Sequence, residues 1–509
     1  MKIKSPNSDQ LKQIGTDLGM NLSDKEVESY LSYFESNLGA IQHLLRRDET
    51  LPPVKHDREQ DFHRPQGEQN PYNAWAMKTA IKGKSRGKLA GKTVAVKDVV
   101  SVAGVPMSAG ASILEGYTPE FDATIVTRIL DAAGEIAGKA ACEYFCYSSG
   151  SHTSVTGMVE NPIKAGHTTG GSSSGSAALV AGNIVDMAIG TDQAGSIRIP
   201  SSHCGLYGLK PTWGLVPYTG IVSSEHNIDH TGPITRTVND NALLLEVLAG
   251  DDGIDLRRAA KRPRVKRYRQ AAKQNLEGYR IGIVKEGFGG MNAMPEVDAT
   301  VRKAAQIWQE LGAHIEEVSI PWHSEGVLVW LAFALEGYHS NMMQGNGFGT
   351  NHGGLYWSSL NDFQANWRKR ADELPANLKI GMLIGEYAKR EYRGHFYVKA
   401  MNLSLSLSKA YDDMLKNYDA LLMPTCPRKA VPLPPVGMSL EQEIDLAWEN
   451  IENTSPFNIT HHPAMSIPCG MADGCPIGMM LVSKHYDEMA LYRAAFAWEN
   501  EVDWRNIQA

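Results

Sequence analysis

Short apolar runs alternate with amphipathic stretches from about residue 85 onward, and that alternation restricts the chain to a sheet covered by helices. Residues 91–102 and 279–284 read as strands. Residues 123–133, with Gly134 just past them, and residues 297–311 carry helical spacing. Strand and helix in turn predict an α/β fold with a largely parallel sheet, covered on both faces. A chain of 509 residues is long enough to bury a large core and to hold more than one domain.

Lys97 interrupts the first of these strands, between Val94, Ala95, Val96 and Val99, Val100. A charged amine is costly to bury, so its pKa is expected to fall toward the range useful to a base. The ordinary alternative is a lysine snorkelling to the surface. Two serines follow in glycine-rich loops, Ser172 within residues 170–175 and Ser196 within residues 190–200. An apolar run, 177–181, follows the first loop at once, which argues against a flexible linker. Ser196, just before Ile197, has a helix cap as its plain alternative. Together the three residues point to serine–lysine acyl transfer, which splits amides without histidine, metal or cofactor. Residues 171–175 also fit the G-x-S-x-G elbow of another hydrolase fold, but the polar stretch 164–169 supplies no strand before it. A phosphate-binding loop needs a lysine after its second glycine, and this loop has none.

In both residue type and spacing, Lys97, Ser172 and Ser196 resemble the lysine, bridging serine and nucleophile of the amidase signature family. The stretch 170–212 follows that signature nearly throughout, and landmarks at 103–106, 122–124, 232–234, 423–425 and 464–468 extend the similarity from about residue 70 to the C-terminus. The version at 192–200, with a helical N-terminal extension, is most similar to bacterial amidases of nitrile metabolism. The resemblance implies a large, mixed, mostly parallel twisted sheet between helical layers. It implies Ser196 as nucleophile, Ser172 as proton relay after a cis peptide bond, and Lys97 as the base. The N–H groups of Gln193, Ala194, Gly195 and Ser196 would form the oxyanion hole, where small residues allow close approach. Cys146 and Tyr147 fall where similar enzymes line the substrate channel, with Tyr147 offering an aromatic wall and a hydroxyl; Gly171 is also expected to contact substrate.

Departures from the family pattern bear on substrate choice. Ala194 stands where glycine is usual, so it would carry strain if that position needs positive φ, and its methyl would narrow the site. His461 also stands in place of a glycine and is expected to reshape the pocket. The implied activity is hydrolysis of small aliphatic or aryl amides through an acyl-enzyme on Ser196, with no metal and no cofactor. Carbamates, hydrazides and esters present the same carbonyl, and carbamate cleavage is the second reading. The catalytic component of a tRNA-linked amidotransferase is a further rival, against which the N-terminal extension and the Asp192, Gln193, Ala194 variant argue. A non-catalytic scaffold is at odds with the intact trio.

Residues 1–50 have helical spacing, with a capping box from Ser23 to Glu26 and one apolar face from Val27 to Leu45. That face must bury itself on the rest of the chain or on a second copy, and the resemblance favours a homodimer. Residues 50–72 are polar and proline-bearing and read as a linker. The expected domains are therefore a helical extension with linker over 1–72 and a catalytic domain over 73–509, with a helical cap at about 325–415. The formal net charge of −7 gives no general attraction to nucleic acid or anionic membrane. Nine Lys or Arg residues within 257–273 read as a solvated connector, since no aromatic platform accompanies them. No apolar leader opens the sequence, so a cytoplasmic location is expected. The six cysteines fit neither a zinc-site spacing nor a disulfide framework.

Overall fold

The computed structural model describes residues 3–56, 58, 61–257, 264–349, 352–435 and 437–509. They form two compact units, 1–53 and 54–509. The first holds two helices, α1 (Ser8–Asp17) and α2 (Asp24–Leu44). Each opens with a capping box: Asn7 with Gln10, and Ser23 with Glu26, so two orphan N–H groups are satisfied at each end. Leu11 and Val27 are buried, whereas Ile14, Tyr30, Tyr33, Ile41, Leu44 and Leu45 are exposed.

The second unit is built on one twelve-stranded sheet. Its strands are β1 (Phe62–His63), β2 (Trp75–Lys82), β3 (Thr93–Lys97), β4 (Glu135–Ala140), β5 (Met187–Asp192) and β6 (Tyr207–Lys210). They continue with β7 (His230–Thr235), β8 (Arg280–Val284), β9 (His314–Val318), β10 (Ala420–Pro424), β11 (Ala464–Ala472) and β12 (Cys475–Val482). Their order across the sheet is β1-β2-β4-β3-β5-β7-β6-β11-β12-β10-β8-β9. The α/β class and the mixed sheet are those expected, but parallel pairing does not predominate. It is confined to β4-β3-β5 and β10-β8-β9, and the remaining neighbours are antiparallel. The cause is topological. β11 and β12 form a hairpin across the two-residue turn Asp473–Gly474, both at positive φ, and β7 returns antiparallel against β5 and β6.

The strands expected at 91–102 and 279–284 and the helices expected at 123–133 and 297–311 are present as β3, β8, Thr124–Asp131 and Pro295–Glu310. The central strands are buried on both faces: β5, β6, β7, β10 and β12 have no exposed residue. Helices Trp322–Ala332, Ala376–Tyr392 and His395–Leu415 dominate the described residues between 322 and 415, with π-helical turns over Phe333–Gly337 and His339–Gln344. Of the basic stretch 257–273, residues 258–263 lie outside the described residues. Three of the described cations are paired with acids, Arg257 with Asp255, Lys266 with Asp487 and Arg269 with Glu246, in keeping with a connector. Among the described residues no helix is long and apolar enough to cross a membrane. All six cysteines are free thiols.

Candidate active site

Lys97 is the last residue of β3 and Asp192 the last of β5, so polar side chains collect beyond the carboxyl ends of two adjacent parallel strands. Open α/β sheets place their ligands at such ends. Lys97 is fully buried, with its Nζ 2.7 Å from Ser172 Oγ and 2.9 Å from Thr191 Oγ1. The acid next in sequence is engaged elsewhere. Asp98 Oδ1 faces Lys139 Nζ at 3.4 Å, and Asp98 Oδ2 accepts from the Ser108 N–H and hydroxyl. Among the described residues, Lys97 therefore meets hydroxyls and no carboxylate.

Ser172 follows Gly171 across a cis peptide bond. A helix, Ser174–Ala181, begins two residues later and lies against β5. Its cap residue Ser173 and its Ser176 are pinned along that strand. Ser173 Oγ donates to the Thr191 carbonyl at 3.2 Å, and Ser176 Oγ donates to the Ile189 carbonyl at 2.9 Å. The Ser173 N–H reaches the Ser196 carbonyl at 3.3 Å, which ties the two serine loops together. Gly175 permits this seating, because a Cβ there would come within 2.3 Å of the Ala74 carbonyl.

The loop carrying Ser196 is held by a buried ion pair. Arg198 Nη2 lies 2.9 Å from Asp192 Oδ1, and Arg198 Nε lies 3.0 Å from Asp192 Oδ2. Burial pushes the Asp192 carboxyl up, but the Arg198 charge and hydrogen bonds outweigh it and hold the carboxyl down at about 2. The same carboxylate accepts from the Gly195 N–H at 2.8 Å and the Ile197 N–H at 3.1 Å, so it sets the turn around Ser196. Successive carbonyls are tied back to other elements. Asn458 Nδ2 donates to the Asp192 carbonyl (2.7 Å), Trp330 Nε1 to the Gln193 carbonyl (2.8 Å), and the Thr454 hydroxyl to the Ala194 carbonyl. The Gly195 carbonyl accepts from the Ile199 N–H at 2.7 Å. In a trans peptide the next N–H points opposite to its carbonyl, so each of these bonds also aims an N–H.

These contacts revise the expected oxyanion donors. The Gly195 N–H is committed to Asp192, whereas the N–H groups of Gln193, Ala194 and Ser196 meet no protein acceptor among the described residues. The glycine requirement also falls at a different position from the one expected. Gly195 has φ of 135° and a Cβ there would come within 2.4 Å of Thr454 Oγ1, while Ala194 is not at positive φ and carries no such strain.

Ser196 is 5 % exposed and lines a narrow cavity. Cys146 and Tyr147 line it. Tyr147 contributes a ring rather than a hydroxyl: its OH donates to the Ala334 carbonyl at 3.2 Å, and its ring packs on Tyr338 and Trp448. Cys146 Sγ lies 3.9 Å from Thr191 Oγ1. Burial pushes the Cys146 thiol up, but the Cys142 hydrogen bond and the Lys97 charge outweigh it and hold the thiol below its ordinary value.

The two other expected substrate-binding residues do not line the cavity. Gly171 donates its N–H to the Ser149 carbonyl at 2.7 Å, and a Cβ there would press on Glu143 and the Ser148 carbonyl, so its smallness serves packing. His461 is turned away. It stacks on Trp213 at 4.6 Å, and its Nε2 meets the Asn227 carbonyl at 2.7 Å. Its φ of 66° explains why glycine suits that position.

Sequence reasoning missed most of the wall: Trp330, Ala334 and Tyr338 from the helical region, Trp448 and Ile451 from the segment before β11, and Ile199 and Ile228. Among the described residues, no Asp, Glu, Lys, Arg or His side chain lines the cavity. Gln193 closes one side, its Nε2 donating to the Tyr218 hydroxyl (2.9 Å) and to Asp229 (3.0 Å). Tyr218 belongs in turn to a second, more open cleft with Trp213, Glu225, Arg257 and His352.

Comparison with known proteins agrees with this geometry. Residues 62–492 match the model of the amidase family. An enantioselective amidase of Rhodococcus rhodochrous is 40% identical over 500 residues, covering 98% of this chain and 96% of that protein. One component chain of the glutamyl-tRNA(Gln) amidotransferase of Methanosarcina mazei is 35% identical over 422 residues, covering 82% of this chain and 86% of that one. The crystal structure of a bacterial aryl acylamidase superposes with a TM-score of 0.69 at 25% identity, covering 82% of this chain and 84% of that one.

Proposed function

Because this chain belongs to the amidase family and is a hydrolase of amide C–N bonds, we propose that its substrates are small, uncharged aliphatic or aryl amides, cleaved to acid and ammonia or amine. The observation that carries this reading is the uncharged, aromatic lining around Ser196. An aryl or alkyl acyl group gains from burial there, at about 25 cal/mol per Å². A substrate with a free ammonium and carboxylate would lose its water with no counter-charge to replace it. The same argument disfavours glutamine, and hence the amidotransferase reading. No feature of the cavity favours a carbamate over an amide.

In this reading Ser196 Oγ attacks the carbonyl while its proton passes to Ser172 and on to Lys97. The 2.7 Å contact between Lys97 and Ser172 supports the second transfer. The free N–H groups of Gln193, Ala194 and Ser196 stabilise the oxyanion. The relay then returns the proton to the leaving amine, and water releases the acid from the acyl-enzyme. The Ala194 methyl, at the cavity wall, narrows the acyl side. Ammonia release from benzamide, a short aliphatic amide and glutamine tests the substrate class. We expect kcat/KM for the uncharged amides to exceed that for glutamine by at least about 100-fold, roughly the 2.7 kcal/mol expected of an unpaired buried charge. Equal turnover of glutamine would overturn the reading.

Two further readings belong with this one. The exposed apolar residues of α2, among them Tyr33, Ile41 and Leu44, support a homodimer formed through the N-terminal helices. The full chain is expected to run as a dimer by light scattering. Tyr33→Glu with Leu44→Glu should give monomers that keep their activity, and a monomeric wild type would refute this. Six free thiols support a reducing, cytoplasmic setting.

A further inference from the structure

Outside the reactive cavity, three segments of the second unit bring together two histidines and a carboxylate. Asp412 lies on the helix His395–Leu415, His462 in the turn before β11, and His485 in the turn after β12. His462 Nε2 stands 3.1 Å from Asp412 Oδ1, and His485 Nδ1 stands 3.7 Å from the same oxygen. One donor atom from each residue falls within 4.8 Å of the other two. Donor atoms about 2.0–2.2 Å from a tetrahedral zinc ion lie about 3.3–3.5 Å apart, so small side-chain adjustments bring all three onto one cation.

The outer contacts of both rings suit that role. His485 Nε2 lies 2.9 Å from the Thr460 carbonyl, which only accepts, so this nitrogen carries a proton. In the neutral ring the Nδ1 lone pair then faces the Asp412 carboxylate. His462 Nδ1 is 3.0 Å from the hydroxyl of the same Thr460. When that nitrogen donates, His462 Nε2 also presents a lone pair to Asp412. Metal-binding histidines are oriented in this way, by a hydrogen bond from the second ring nitrogen. The two ring centroids are 4.0 Å apart with their planes tilted by 35°, a closeness that disfavours two imidazolium charges. His462 is buried, whereas the Asp412 side chain is 52% exposed, which leaves a path for a cation and a position for a water ligand.

We propose that Asp412, His462 and His485 form a site for a first-row divalent transition cation, with zinc as its representative. Two imidazoles and one carboxylate suit such ions and do not suit calcium or magnesium, which take oxygen ligands. None of the three lines the reactive cavity, so the ion is structural: it ties the turn 460–462 to the helix His395–Leu415. His461, within that turn, holds Trp213 and the Asn227 carbonyl, so the clamp also steadies the outer wall of the second cleft.

The test is titration of the full, chelator-treated chain with zinc against a chromophoric chelator, and in parallel with cobalt followed by its visible ligand-field absorption. One equivalent per chain should bind. His485→Ala and Asp412→Ala, both at partly exposed positions, should each weaken binding by at least about 100-fold, since even outer-shell changes cost about 10–100-fold. Both should keep the metal-free circular dichroism and melting temperature of the wild type. Absence of a stoichiometric site, or undiminished uptake in both variants, would overturn the proposal.

Discussion

Ser196→Ala is expected to lower kcat by about 10⁶-fold, the scale seen when a serine hydrolase loses its nucleophile. The hydroxyl makes no protein hydrogen bond among the described residues, and the backbone around it is fixed by Asp192, Asn458, Trp330 and Thr454. Its removal should therefore leave the melting temperature within a degree or so of wild type. Lys97→Ala should lose a comparable factor, because residues acting as one relay are not additive. It should also destabilise the chain, since it leaves a void beside β3 and Thr191. Lys97→Arg should not restore activity, because a guanidinium does not give up its proton at working pH. Steady-state kinetics and thermal unfolding of the three variants separate the two effects. A Ser196→Ala enzyme with more than about one hundredth of wild-type kcat would contradict its role.

Arg198→Ala is expected to cost about 3–5 kcal/mol of folding stability, because it strands a buried carboxylate. Asp192 is fully buried, and its charge is balanced by Arg198 with Asn458 in support. The dependence on pH has a definite sign. A carboxyl held at about 2 in the folded chain and near 3.9 when unfolded stabilises fully above the unfolded value, and that contribution disappears as pH falls through about 2. Without Arg198, burial acts on Asp192 unopposed by that charge and raises its carboxyl, so the gap between wild type and Arg198→Ala should be widest at neutral pH and shrink as pH falls through that raised value toward about 2. Urea unfolding at several pH values measures it. Activity should fall as well, since Asp192 also positions the N–H groups of Gly195 and Ile197. A deficit under about 1 kcal/mol at neutral pH would mean that the loop is held by its other ties.

The proposed reacting groups stand out in the sequence because their chemistry conflicts with their surroundings. A lysine inside an apolar strand and serines inside glycine-rich turns need a reason, and the structure joins Lys97 to Ser172 directly. The cavity wall was not legible for the opposite reason. Trp330, Tyr338, Trp448 and Ile451 are ordinary apolar residues at helical spacing, and only the fold brings them to Ser196. His461 illustrates a partial reading. The departure from glycine was visible, but the positive φ that it tolerates and the Trp213 face that receives it belong to tertiary structure. Ala194 and Gly195 differ in the same way, since which of two adjacent small residues takes φ of 135° depends on Thr454 and Ile199 packing against it. Strand direction was beyond reach as well. Apolar runs identify buried strands, but the antiparallel return of β7 and the β11–β12 hairpin depend on connections that periodicity does not encode.

Intact-mass and peptide mapping after reaction with an aryl phosphonofluoridate tests directly whether Ser196, and not the Cys146 thiol beside Lys97, is the nucleophile. One adduct per chain is expected, on the peptide containing Ser196, absent from Ser196→Ala and strongly slowed in Lys97→Ala. An adduct on Cys146, or equal labelling of Ser196→Ala, would contradict it.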